Sequence, residues 1–174
     1  MNKKIQTITY AAIIAALYAA CSLLPGINAI SYGPIQFRIS EALMLTCLFS
    51  PAGVGGVVAG CFIANLFSPF VNPLDICFGT LATLLAALTT YFMRGFFLRH
   101  KWLAPLPTIL FNSIIVGSYL PFLGFDLSIF PVTAPLGLWL CVAASVAAGE
   151  AVVCYVLGIP LSILFEKHNL LKSA

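Results

Sequence analysis

The chain has 174 residues, of which 61% are hydrophobic and only 7% charged, with a formal net charge of +3. A soluble domain of this size carries about 25% charged residues, so there are too few charges here to cover a water-facing surface. The small positive surplus is no signal for nucleic acid, because the placement of the basic residues in connecting segments accounts for it.

Lipid is therefore the expected solvent for the outside of the fold. In hydrocarbon every backbone polar group needs an internal partner, which leaves helices or a closed barrel. The apolar runs are long and continuous, without the strict polar alternation of a barrel strand. The expected fold class is an all-α membrane protein, a single transmembrane domain over residues 1–174. At ~20 residues per span, the length allows five or six.

Six apolar segments follow in chain order: about Ile5–Leu24, a short one at Ile39–Ser50, then Pro51–Ser68, Asp75–Tyr91, Pro105–Phe122 and Leu136–Phe165. Pro25–Gly26, Gly33–Pro34, Ser50–Pro51, Pro69, Pro73, Pro105 with Pro107, and Pro121 punctuate them. The first resembles a secretion signal in having Lys3 and Lys4 ahead of it and Ala19-Ala20-Cys21 near its end. Its apolar run is too long for a signal core, and Tyr18 stands where a lipoprotein box wants a small aliphatic residue, so it reads as a retained helix.

Basic residues set the expected orientation. With six spans and the N-terminus inside, the cytoplasmic side receives Lys3, Lys4, Arg94, Arg99, Lys101, Lys167 and Lys172, and the outside receives Arg38 alone. This split favours six spans with both termini cytoplasmic. The acids fall the other way: Glu41, Asp75 and Asp126 lie toward the outside, Glu150 lies near mid-membrane, and only Glu166 lies inside.

An ionisable group within a span costs roughly 2.5–3.5 kcal/mol on insertion scales, which makes each one a functional candidate. Arg38 and Glu41 are three apart at a helix start and share a face, as a ligand site or as an interfacial ion pair. Asp75 opens its helix, where a carboxylate suits either a ligand or the helix dipole. Asn65 and Asn112 are amides in apolar runs, fit for ligand contacts or for joining helices. Glu150 is the sharpest case, a lone acid after Ala147-Ala148-Gly149. Depth along the helices allows all six to line one cavity open to the outside. Tyr32, Gln36, Phe37 and Tyr119 supply its lid and walls.

Small residues recur at helical spacing. The first helix carries Ala11, Ala15 and Ala19 beside Ala12, Ala16 and Ala20, a smooth doubled row that reads as a docking surface for a partner helix. Gly56-x-x-x-Gly60 in the third segment and Gly79, Thr83, Ala86 and Thr90 in the fourth read as internal packing faces. The six cysteines lie inside apolar runs, show no metal-pair spacing and read as small packing residues.

No phosphate-cradling G-x-x-x-x-G-K-[ST] loop is present, and no H-E-x-x-H. His100 and His168 sit in basic ends, and no Ser–His–Asp set falls on one side of the membrane. Neither catalysis nor a metal or cofactor in this chain is expected.

Several stretches match a known family. SYGPIQFRISEAL (Ser31–Leu43), GCFIANLFSP (Gly60–Pro69), DICFGTLATLLAAL (Asp75–Leu88), FNSIIVG (Phe111–Gly117), Gly149-Glu150 and GIPL (Gly158–Leu161) resemble the QueT family. The resemblance runs through nearly the whole chain. It implies a substrate-binding S component of an energy-coupling factor (ECF) transporter, with six helices and an outward pocket capped by the first loop. The implied substrate is a queuosine precursor, a 7-deazaguanine such as preQ1, preQ0 or queuine. The implied partners are a transmembrane coupling subunit, docked through an alanine-rich face, and two ATPases that use the ATP. One departure stands out: family members often carry an acid shortly after the Gly117 position, where this chain has Ser118-Tyr119-Leu120.

The candidate residues suit such a ligand. A carboxylate from Glu41, Asp75 or Glu150 can accept two N–H donors from a guanine-like edge. Asn65 or Asn112 can read the carbonyl and ring-nitrogen edges, and Phe37 or Tyr32 can stack on the ring. A cationic aminomethyl group suits a pocket with surplus acid. The alternative is a stand-alone proton-coupled transporter of a nucleobase or vitamin-like molecule, with Glu150 as relay; small size and lack of internal repeats count against it.

Overall fold

The computed structural model describes residues 3–24, 26, 31, 36–69, 71–123, 130 and 134–168. Among the described residues six longer helical segments follow one another, α1 (Lys3–Leu23), α2 (Ile39–Leu48), α3 (Pro51–Leu66), α4 (Asp75–Phe92), α5 (Lys101–Phe122) and α6 (Pro135–Lys167), with a single helical turn at Arg94–Phe97 between α4 and α5. No strand occurs among the described residues.

Local chemistry sets the starts. Ser50 caps α3, its hydroxyl accepting the Ala52 N–H at 3.1 Å, with Pro51 in the first helical position. At the start of α4 the cap is Asn72, whose side-chain oxygen accepts the Leu74 N–H at 2.9 Å. Asp75 therefore sits inside the first turn and leaves the capping to Asn72. After α1 the chain turns at Gly26, whose φ of 87° is a left-handed conformation that glycine adopts without strain.

Among the described residues, four segments are long and apolar enough to cross a membrane: α1 with 21 residues, α4 with 18, α5 with 22 and α6 with 33. The sequence pattern predicts six spans, but α2 and α3, with 10 and 16 residues, fall short of the ~20 that a span requires. The Ser50–Pro51 break divides that apolar run in two, and α2 is wound as a 3-10 helix throughout. Such long 3-10 runs are uncommon. Non-α backbone at membrane depth survives only where protein surrounds it, and α2 meets that condition. Every residue from Ser40 to Leu48 is buried, and α1, α3, α4 and α6 all pack against it.

Glycines set the closest approaches. A methyl group on Gly56 or Gly60 of α3 would come within 2.7 Å of Ile14 Cβ or 2.6 Å of Tyr18 Cβ on α1. On Gly53 it would come within 2.6 Å of the α2 backbone at Thr46, and on Gly117 of α5 within 2.9 Å of Ala143 on α6. These contacts let backbones approach as membrane helices require. One apolar cluster, including Ile14, Met44, Val57, Cys61 and Ala86, fills the space among α1 to α4; another, including Ala82, Val116, Leu120, Val142 and Val146, joins α4, α5 and α6. The outside is aliphatic: Ile8, Ile13 and Leu17 on α1, Leu110 and Ile114 on α5, and Leu140, Val152 and Val156 on α6 are all exposed. At the basic end, Lys101 pairs with Glu166, tying the start of α5 to the end of α6.

Candidate functional site

Five elements deliver polar side chains to one buried centre. Arg38 immediately precedes α2 and Glu41 lies in its first turn; Asn65 comes from α3, Asp75 from α4, Asn112 from α5 and Glu150 from α6. None of the six is more than 5% exposed. The winding of the long helices changes around them. Asp75–Gly79 and Asn112–Val116 are π-helical turns, each opening on a candidate residue, and Cys154–Gly158 is a third, one turn beyond Glu150. A π turn widens the helix locally and re-aims its side chains, and such turns concentrate at functional sites.

The centre has two halves. In the first, Arg38 Nη2 donates to Asn65 Oδ1 at 2.6 Å, and Asn65 Nδ2 donates to the Asp75 carbonyl at 3.0 Å. Tyr119 Oη donates to Asp75 Oδ1 at 2.5 Å. All of this crowds against Gly79. A methyl group there would come within 3.1 Å of Asn65 Nδ2 and Asp75 Oδ1, and within 3.2 Å of Tyr119 Oη.

In the second half, the Tyr18 hydroxyl of α1 donates to Glu41 Oε1, and Asn112 Nδ2 donates to Glu150 Oε1 at 3.1 Å. The chain ahead of α2 reaches this half over Gly149, where a methyl group would lie 1.9 Å from the Gln36 carbonyl oxygen. Only a residue without Cβ lets that carbonyl settle beside Glu150. Four buried side-chain oxygens in this half, Gln36 Oε1, Glu41 Oε2, Asn112 Oδ1 and Glu150 Oε2, have no hydrogen-bond partner among the described residues. An unmet buried polar atom costs about 1–3 kcal/mol, and more when charged, so each of the four oxygens would gain from a donor.

The remaining sequence candidates fall as follows. Phe37, beside Arg38, is half-buried, and its carbonyl accepts from the Ser31 hydroxyl at 3.5 Å. Tyr32 and Asp126 lie outside the described residues. Tyr119 belongs to the first half, holding Asp75. The doubled alanine row divides: Ala15 and Ala19 are buried and Ala11 is half-buried on the side that meets α3, while Ala12, Ala16 and Ala20 are exposed. Six alanines do not form one partner face, because the glycine stripe of α3 takes the inner row. Gly79, Thr83, Ala86 and Thr90 of α4 are all buried.

Sequence reasoning passed over Tyr18, which is fully buried and holds Glu41. Its signal was available: Tyr18 follows Ile14 and Ala15 at helical spacing, on the face that turns inward. A surface groove of about 380 Å³, beside Phe78, Leu81 and Ile114, reaches the first half of the centre at Tyr119, whereas one of about 400 Å³, beside Met93, Phe96 and Leu106, is lined by none of the candidate residues.

A lipid-facing helical shell around a closed centre of acids, amides and one guanidinium defines the class: a helical membrane protein with a buried polar site, of the kind that binds or conducts a polar solute. The particular family follows from comparison with known proteins. A family model described as "QueT transporter" matches residues 8–167, and the chain belongs to that family. A protein of Lactococcus lactis subsp. cremoris (strain MG1363), "Queuosine precursor transporter QueT", is 44% identical over 83 residues. That alignment spans 48% of this chain and 48% of the relative, about half of each. No solved structure matches. Membership of a transporter family, with four helices of spanning length, makes this a multi-pass membrane protein.

Proposed function

We propose that the chain is the substrate-binding S component of an ECF-type transporter, importing a queuosine precursor of the 7-deazaguanine type, such as preQ1, preQ0 or queuine. The observation that carries this reading is the group of four unpartnered acceptors around Glu41, Asn112 and Glu150. A 7-deazaguanine brings N–H donors on its pairing edge, a ring N–H and, in preQ1 and queuine, a protonated amine. Glu41 takes the pairing edge in a charge-assisted pair. Asn112 and Glu150 take donors beyond it. Phe37 and Tyr32 cover the ring, and Arg38, Asn65 and Asp75 hold the walls. The name of the Lactococcus relative supports the substrate class.

In this reading the chain is one transmembrane domain crossing the membrane six times, with α2 and α3 as short spans and both termini cytoplasmic. The split of seven basic residues to one supports that orientation. The exposed row Ala12, Ala16 and Ala20 docks on a transmembrane coupling subunit, and two partner ATPases use the ATP.

Calorimetric binding to the purified chain, comparing preQ1, preQ0, queuine, guanine and riboflavin, tests the substrate. Saturable binding confined to deazaguanines is expected; no binding to any of them overturns the assignment. Uptake in a host without coupling subunits would overturn the S-component role in favour of a stand-alone transporter.

A further inference from the structure

The acids of the centre differ in how far their charge is answered. Asp75 receives the Tyr119 hydroxyl and lies in the first turn of α4, where the helix dipole favours a negative charge. Glu41 receives the Tyr18 hydroxyl and follows the Arg38 guanidinium by three residues, one 3-10 turn. Glu150 differs from both. It receives the neutral Asn112 amide at Oε1, and its Oε2 has no hydrogen-bond partner among the described residues. Glu150 is therefore the acid whose described hydrogen-bond partners include neither a hydroxyl nor a cation.

Unmet acceptors gather at Glu150. Glu150 Oε2, Asn112 Oδ1 and Gln36 Oε1 are acceptors, and the Gln36 carbonyl lies directly against Gly149, one residue away. An ammonium is a donor on every side and carries the charge this corner lacks. A nitrile or carbonyl is an acceptor and offers no proton to the unmet oxygens. Truncating or mismatching such a buried site costs far more than changing an apolar contact.

We infer that Glu150 is the residue that makes the site charge-selective, pairing with the protonated amine of a 7-aminomethyl-7-deazaguanine and excluding neutral 7-substituents. This rests on the deazaguanine reading above and deepens it by naming which members of the class bind and which residue decides. Glu41 then reads the pairing edge common to all members, so the two acids separate in their effects.

The experiment compares the 7-aminomethyl ligand (preQ1) with the 7-cyano ligand (preQ0) by calorimetry on the purified full chain. The parent chain is expected to prefer the amine by about tenfold to a hundredfold, the range of a charge-assisted hydrogen bond. Glu150→Gln should remove that preference, lowering amine affinity by about the same factor while moving the nitrile less than about threefold. Glu150→Asp, which keeps the charge, should retain the preference, and Glu41→Gln should weaken both ligands alike. Equal affinities in the parent overturn the inference without needing any variant to fold, as does a parallel loss of both ligands in Glu150→Gln. If the parent binds the nitrile alone, the deazaguanine reading stands and the charge assignment falls. If it binds neither, both fall.

Discussion

The two halves of the polar centre are built from the same kinds of residue, yet they differ in the acceptor oxygens they leave unmet. Arg38, Asn65, Asp75 and Tyr119 are joined in one chain of hydrogen bonds around Gly79. Glu41, Asn112, Glu150 and Gln36 leave an oxygen each without a partner among the described residues. A buried network satisfied within itself is rigid and gains little from a guest, whereas acceptors without donors gain the full worth of each bond a guest supplies. Burial and charge alone do not mark a binding residue; what distinguishes the halves is which atoms remain unmet.

The comparison can be broken at several points. The largest effect is expected from Gly149→Leu, because even a methyl group there would lie 1.9 Å from the Gln36 carbonyl. The residues ahead of α2 must move, and binding by calorimetry should be lost. Retained affinity would show that the Gln36 corner takes no part. Next comes a paired test of the halves. Glu41→Gln should weaken deazaguanine binding by about tenfold to a hundredfold, the cost of a lost charged acceptor. Asp75→Asn keeps an oxygen for the Tyr119 hydroxyl and should change affinity less than about threefold, while lowering the melting temperature by a few degrees. A reversed order would place the ligand in the other half. The smallest effect on binding is expected from Ala16→Leu, which adds bulk to an exposed row. It should leave affinity unchanged and reduce uptake by the assembled transporter, whereas Ala15→Leu, pressed against α3, should destabilise the isolated chain. Equal outcomes for the two alanines would remove the distinction between inner and outer rows.

Much of this was legible in the sequence, and what was not has a common cause. The helix limits follow local rules: α3 begins at Pro51 after its Ser50 cap, as the proline punctuation predicts, and α1 and α4 fall within two residues of the expected ends. That Arg38, Glu41, Asn65, Asp75, Asn112 and Glu150 are buried together follows from the cost of such groups in lipid. Their pairing does not. Tyr18 and Glu41 are 23 residues apart, Asn112 and Glu150 38, and Tyr119 and Asp75 44, so no local pattern joins them. The division of the alanine row was hidden for a related reason. Both rows are equally small, and only the glycines of α3 decide which one is covered. The 3-10 winding of α2 was equally hidden, because Ser40, Glu41 and Thr46 are too few among its apolar residues to mark a period.

That winding has a geometric outcome of its own. Three residues per turn place i and i+3 directly in line, so α2 is a three-edged prism rather than a cylinder. One edge carries Glu41, Met44 and Cys47, the latter two packed in the cluster that holds Ile14 and Tyr18. A second carries Ala42, Leu45 and Leu48; its first two residues lie against Gly158, and Leu45 and Leu48 pack with Phe97 and Ala104. The edges act as an index: Glu41 faces Tyr18 because Met44 and Cys47 below it face the same wall. Inserting or deleting one residue between Ala42 and Leu48 would turn the prism by a third of a revolution and present the carboxylate to a different neighbour.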